Sequence, residues 1–179
     1  SIVVESRRGE LRTVTGGSPD APTAIVSPDD PNGWYWIGSP TNGARGSIQI
    51  PLLQFEKTGT GSFDFRWVRN RLATLDPETL TVMDVVDLPS ARGINWGSWT
   101  MEDRGRTLIY GVLDVEGVRT AFLARADGRD GLKGTWSYWD GSGWSAEETA
   151  AAPVAENLAN EFSVQKVRDG YLMVTHDTS

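Results

Sequence analysis

Short apolar runs closed off by glycine turns leave this chain few folds to choose from. Ile2–Glu5, Ser47–Phe55, Leu80–Val86, Thr107–Leu113, Arg119–Ala126, Thr135–Trp139 and Tyr171–Thr175 are short and rich in β-branched or aromatic residues. Each reads as a strand. Between them stand Pro31-Asn32-Gly33, Asn42-Gly43, Gly59-Thr60-Gly61, Arg104-Gly105, Glu116-Gly117, Asp140-Gly141-Ser142-Gly143 and Asp169-Gly170, all of turn type. Only Ser145–Ala155 (SAEETAAAPVA) offers a helical pattern, and Pro153 limits it to a short turn of helix. With 8 Trp and 20 Gly among 179 residues, aromatic strands joined by glycine turns are expected. The fold class is all-β: a sandwich, a barrel or a propeller.

A weak internal repeat chooses among these. Gly33-Trp34-Tyr35-Trp36-Ile37-Gly38-Ser39, Ile94-Asn95-Trp96-Gly97-Ser98-Trp99 and Ala159-Asn160-Glu161-Phe162-Ser163-Val164 resemble one another at a spacing of roughly 60 to 65 residues. Each is followed by a turn and a strongly apolar strand. Four strands with generous loops fill such a period, which is the size of a large propeller blade whose first strand lines the central channel. The expected division is 1–29 as outer strands of a preceding blade, 30–89 and 90–155 as blades, and 156–179 as the start of another. That makes about two full blades and two halves. Open-ended blades expose strand edges, so the expected partners include further blades of the same protein or a second chain.

Charge and composition exclude several classes. The net charge is −7, and the densest basic run, Arg66 to Arg71, is broken by Trp67 and Val68. Neither nucleic acid nor an anionic membrane is an expected partner. No apolar run is long enough to cross a bilayer, and no signal peptide is recognisable. The absence of cysteine removes disulfides, thiolate metal sites and cysteine nucleophiles. The segment TGTGSFDF has no following helix or lysine to make a phosphate cradle, and no calcium loop is present. No cofactor and no metal site are expected.

The strings WYWIGS, FDFRWVRNRLATLDPETL, INWGSWTMEDRGRTLIYGV, GTWSYWDGSGWS and NEFSVQKVRDGYLMVTHDTS resemble a group of exported actinobacterial five-bladed β-propeller proteins. That group is classed under a domain of unknown function related to glycoside hydrolases, and some relatives are endo-D-arabinofuranases. The resemblance runs from about residue 1 to residue 179. It implies a secreted or cell-surface protein and an extracellular polysaccharide as partner, with a D-arabinan as the particular polymer. It implies an upstream blade with Gly-Asp elements and further blades after VTHDTS. It also marks a departure: Trp36-Ile37-Gly38-Ser39 stands where a Trp-Pro-Gly-Asp-like string is expected, and Ser39 replaces no acid or base.

Under that resemblance a propeller glycosidase works with carboxylates aimed into its channel. Glu161 is the acid/base candidate, because it opens an otherwise apolar strand where desolvation would favour its protonated form. Trp34, Trp36, Trp96 and Trp99 lie on two expected inner strands. Their rings suit sugar faces and equally suit a blade interface, where large aromatics are more often buried. Asn95 and Asn160 are placed to hydrogen-bond sugar hydroxyls or to cap turns. Ser39 is a channel-side residue, and His176, the only histidine, is read at the channel rim. Glu102 and Asp103 end the strand NWGSWTMED just before a turn and, like Asp140, read as turn residues, and Asp64 as a solvated strand residue. The alternative reading is a non-catalytic carbohydrate-binding or scaffold propeller.

Overall fold

The computed structural model describes residues 1–178. Two small antiparallel hairpins open the chain: β1 (Ile2–Glu5) with β2 (Leu11–Val14), and β3 (Gly16–Ser18) with β4 (Ala21–Thr23). Next come β5 (Gly33–Ile37), the two-residue β6 (Thr41–Asn42), β7 (Ile48–Lys57), β8 (Phe65–Leu75) and β9 (Val82–Asp87). They form a first sheet in the order β5-β7-β8-β9, with β6 also on β7. A second sheet holds β10 (Asn95–Asp103), β11 (Arg106–Val115), β12 (Val118–Asp127), β13 (Thr135–Trp139) and β14 (Trp144–Ser145) in chain order. To it β15 (Pro153–Glu156) adds on β12. A third sheet is the hairpin of β16 (Leu158–Val167) and β17 (Gly170–Asp177). All pairings are antiparallel, and no sheet closes on itself among the described residues.

Tight turns set the registers. Asp103 pairs with Arg106 and Val115 with Val118, leaving two-residue loops. Arg104-Gly105 and Glu116-Gly117 occupy them, and all four residues have positive φ. Such turns match the right-handed twist of the flanking strands.

The sheets stack in chain order, and the core divides accordingly. Leu72 of the first sheet packs with Trp96, Ile109, Phe122, Trp136 and Tyr138 of the second. Tyr110, Val112 and Ala121 of the second pack with Leu158, Phe162 and Val164 of the third. On its other face the first sheet buries Leu52, Ala73 and Leu75 beneath Ile2 and Val26. A middle strand is therefore covered on both sides, which is why β11 is buried from Thr107 to Val112 without alternation. Gln49 of β7 adds a polar tie: its Nε2 donates to Asp130 O at 2.9 Å, and its Oε1 accepts from Leu132 N at 2.7 Å.

Three charged stretches take their places in the fold, one of them against expectation. Strand β8 stands where the sequence reads as a basic stretch. Its arginines are matched across the sheet, Arg66 to Glu56 at 2.5 Å and Arg71 to Asp87 at 2.9 Å. Asp64 lies in the β7–β8 loop rather than on a strand, and its Oδ2 accepts from Gly61 N at 2.7 Å. Glu102 and Asp103 end β10 immediately before the Arg104-Gly105 turn, where the sequence places them.

Asp103 ties the third sheet to the second. It accepts from the Lys166 ammonium and from the Tyr171 hydroxyl, the latter at 2.8 Å. The lysine bond first, and the tyrosine bond second, hold its carboxyl below the ordinary 3.8. The charged carboxylate therefore favours the docked hairpin. That contribution is complete above the ordinary value and is lost as pH falls through the lowered one. Amide protection in β16 and β17, taken relative to the unstructured exchange rate at each pH, should fall with acid in that window. In Asp103→Asn, exchange should be faster at neutral pH and this acid step absent; an unchanged acid step would assign it elsewhere.

Candidate functional site

Each of the three sheets is interrupted on its first strand. Ile37 pairs with Leu52 and Thr41 with Gln49, so residues 38–40 oppose only 50–51. Trp96 pairs with Gly111 and Trp99 with Tyr110, leaving Gly97 and Ser98 with nothing opposite. Leu158 pairs with Asp177 and Phe162 with Thr175, so residues 159–161 face position 176 alone. Such bulges bend a strand and re-aim its side chains. Here all three open onto one cleft of about 630 Å³, walled by Trp36, Ser39, Asn95, Ser98, Trp99, Asn160 and Glu161 with Leu53 and Phe162.

Close backbone contact fixes the floor. Ser39 N donates to Gly97 O at 2.8 Å. A Cβ on Gly38 would lie 2.3 Å from that same oxygen, and one on Gly97 would lie 2.4 Å from Pro51 Cβ. The hydroxyl of Thr100, a buried residue, has Ser39 O at 3.1 Å and Pro40 O at 3.2 Å as acceptors. On the other side, Trp99 Nε1 donates to Val164 O at 2.8 Å, joining the second sheet to the third.

The sequence candidates separate here. Trp36 is 44% exposed and rests on Phe55, with ring centroids 4.1 Å apart. Trp34 shares its face and stacks on the same Phe55 at 6.1 Å, but it does not line the cleft. Tyr35 points to the opposite face, into the core beneath Ile2 and Val26. Trp96 is 0% exposed, wedged against Trp136 and Tyr138 with Nε1 donating to Glu148. Its ring therefore offers no face to a ligand and is a core residue. Asn95 borders the cleft, with its Oδ1 buried behind the wall and without a partner among the described residues. Asn160 and Glu161 ride on the third bulge and are exposed. The apolar enclosure expected around Glu161 is absent, because the bulge carries it out of the strand while Phe162 turns inward. His176 lies outside the cleft lining. Strand alternation sets it beside Leu172 and Val174 on the face of the third sheet that points away from the core, whereas Asp177 pairs with buried Leu158. Asp140 is structural: its Oδ1 accepts from Ser142 N, Ser142 Oγ and Gly143 N, and these bonds hold its carboxyl below its ordinary value.

Ser98 was not a sequence candidate, yet its signal was present. Gly97-Ser98 repeats Gly38-Ser39, and both pairs form the bulge. Among the described residues no group of three or more His, Asp or Glu side chains is gathered as a metal ion would require.

These features define an all-β protein whose three sheets meet at one bulge-lined cleft. The chain belongs to the family described as Domain of unknown function (DUF5005), which it matches over residues 2–179. No curated protein and no solved structure matches it.

Proposed function

We propose that the three sheets are successive blades of a β-propeller and that the cleft binds a saccharide unit of an extracellular polysaccharide. The observation that carries this is the exposed ring of Trp36 sharing a cleft of about 630 Å³ with the amides of Asn95 and Asn160 and the carboxylate of Glu161. A flat ring suits the C–H face of a sugar, and amides and carboxylate suit its hydroxyls. The cleft volume falls in the range of small-ligand sites. The blade reading is supported by the three repeats, by the stacking of sheets in chain order, and by first strands that converge on one place.

Hydrolysis is the second reading, with Glu161 as acid/base and a D-arabinan as substrate. A glycosidase of the usual kind needs two carboxyl groups, about 5–9.5 Å apart. Glu161 is the one carboxylate in this lining. Binding rests on residues that the cleft itself supplies, and the geometry favours it.

The test is titration of the protein with arabinan and other neutral oligosaccharides by calorimetry, with product analysis alongside. Trp36→Ala should weaken binding roughly fivefold, the magnitude of one lost aromatic contact near 1 kcal/mol. Turnover abolished in Glu161→Gln would establish the hydrolase reading. Binding without turnover would establish the module reading. No binding to any polymer, or unchanged binding in Trp36→Ala, would overturn the cleft assignment.

A further inference from the structure

The cleft is electrically one-sided. Among the described residues, Glu161 is the only charged one in the lining, which contains no lysine, arginine or histidine. Most carboxylates that sit on sheet faces are matched: Glu56 by Arg66, Asp87 by Arg71, Asp114 by Arg119, Asp127 by Arg106. Glu161 makes no hydrogen bond or ion pair with any described residue. Behind the same wall the Oδ1 of Asn95 is buried and accepts nothing from the described residues. The nearby Ser98 hydroxyl is already used, donating to Asn95 O at 2.9 Å. The site thus presents one unmatched carboxylate, the uncommitted amide of Asn160 and no cation.

A ligand that fits such a wall brings donors and no negative charge. A protonated amine brings three N–H donors together with the opposite charge. An N-acetyl group brings one donor and no charge. A uronate or sulfate places an anion beside Glu161 with nothing to neutralise it.

We infer that the cleft sorts saccharides by charge, taking a sugar with a free amine in preference to its N-acetylated counterpart and disfavouring uronate- and sulfate-bearing chains. This rests on the saccharide reading above and narrows its substrate class.

The experiment titrates the full chain at about pH 6 with four oligomers: glucosamine, N-acetylglucosamine, galacturonate and neutral arabinan. Affinity is read from NMR shifts of the indole and side-chain amide protons. The wild type should bind the glucosamine oligomer about fivefold more tightly than the acetylated one, as a partly exposed ion pair allows. Added salt should shrink that ratio, and the galacturonate oligomer should bind about fivefold more weakly than the neutral arabinan. Glu161→Gln should bring the first two affinities together. Equal wild-type affinities, a preference that survives Glu161→Gln, or binding of arabinan with no gain from an amine would each overturn the charge inference alone. Failure of all four oligomers to bind would overturn the saccharide reading with it.

Discussion

Gly97→Ala is expected to destabilise the protein by about 2–5 kcal/mol, among the largest effects of any single methyl group here. Two penalties combine. Gly97 has φ +90, where an L side chain is strained by about 1–2 kcal/mol. The added Cβ would also lie 2.4 Å from Pro51 Cβ and 2.6 Å from its Cγ. Pro51 is fully buried and its ring has no rotamer to give, so relief requires β7 and β10 to part; overpacking of this kind costs about 1–3 kcal/mol. Gly105→Ala is the control. Its φ is +76 with nothing within 4 Å of the added Cβ, so it should show the strain alone. Urea unfolding of both variants separates the two contributions. A Gly97→Ala protein no less stable than Gly105→Ala would mean that the sheets do not touch at this bulge. Because Gly97 O also receives Ser39 N, a parted contact would widen the cleft as well, and ligand affinity should fall with stability.

What was legible in the sequence was legible for local reasons. β13 is predicted residue for residue as Thr135–Trp139, because a β-branched and aromatic run ends on an Asp-Gly turn. The fold class follows from the same punctuation. Strand β8 is harder to read because Arg66, Arg69 and Arg71 interrupt its apolar pattern, and only the pairing with β7 and β9, its neighbours in the chain, brings Glu56 and Asp87 alongside them. The cleft was half legible for a related reason. The repeat picks out Trp36, Ser39, Asn95, Trp99, Asn160 and Glu161, which the structure gathers. Repetition identifies equivalent positions but not which face each takes. Trp96 precedes its bulge and turns into the core, while Trp99 follows it and borders the cleft. Alternation cannot be counted through a bulge whose existence is set by pairing with another strand. His176 was misplaced by the same ambiguity of face.

Glu148→Ala is expected to destabilise by about 3–4 kcal/mol, although nothing in the surrounding SAEETAAAPVA marks this residue out. Its side chain is carried on a 3-10 turn, Glu148–Ala150, and the residue is only 9% exposed. It accepts from Ala91 N at 2.8 Å, Arg92 N at 3.3 Å and Trp96 Nε1 at 3.0 Å. Three donors, two on the segment leading into β10 and one at its start, therefore converge on one carboxylate. Arg92 strengthens the same junction, donating to Ala151 O with its guanidinium 4.9 Å over the Phe122 ring. Truncation to alanine strands those N–H groups, and each buried donor left alone costs about 1–3 kcal/mol. Relief from burying the carboxylate offsets part of that sum. Glu148→Gln keeps one accepting oxygen but turns an NH2 group toward other donors, so its loss should be intermediate, about 2 kcal/mol. The cycle with Trp96→Phe isolates one bond: the ring remains, the donor goes, and the coupling to Glu148→Ala should be about 1 kcal/mol. Trp96 sits between Asn95 and Gly97, so this buried carboxylate anchors the residue at which the second bulge begins. A Glu148→Ala protein within about 1 kcal/mol of wild type in urea would mean that water reaches the three donors. The junction would then be held by the Trp96, Trp136 and Tyr138 rings rather than by charge.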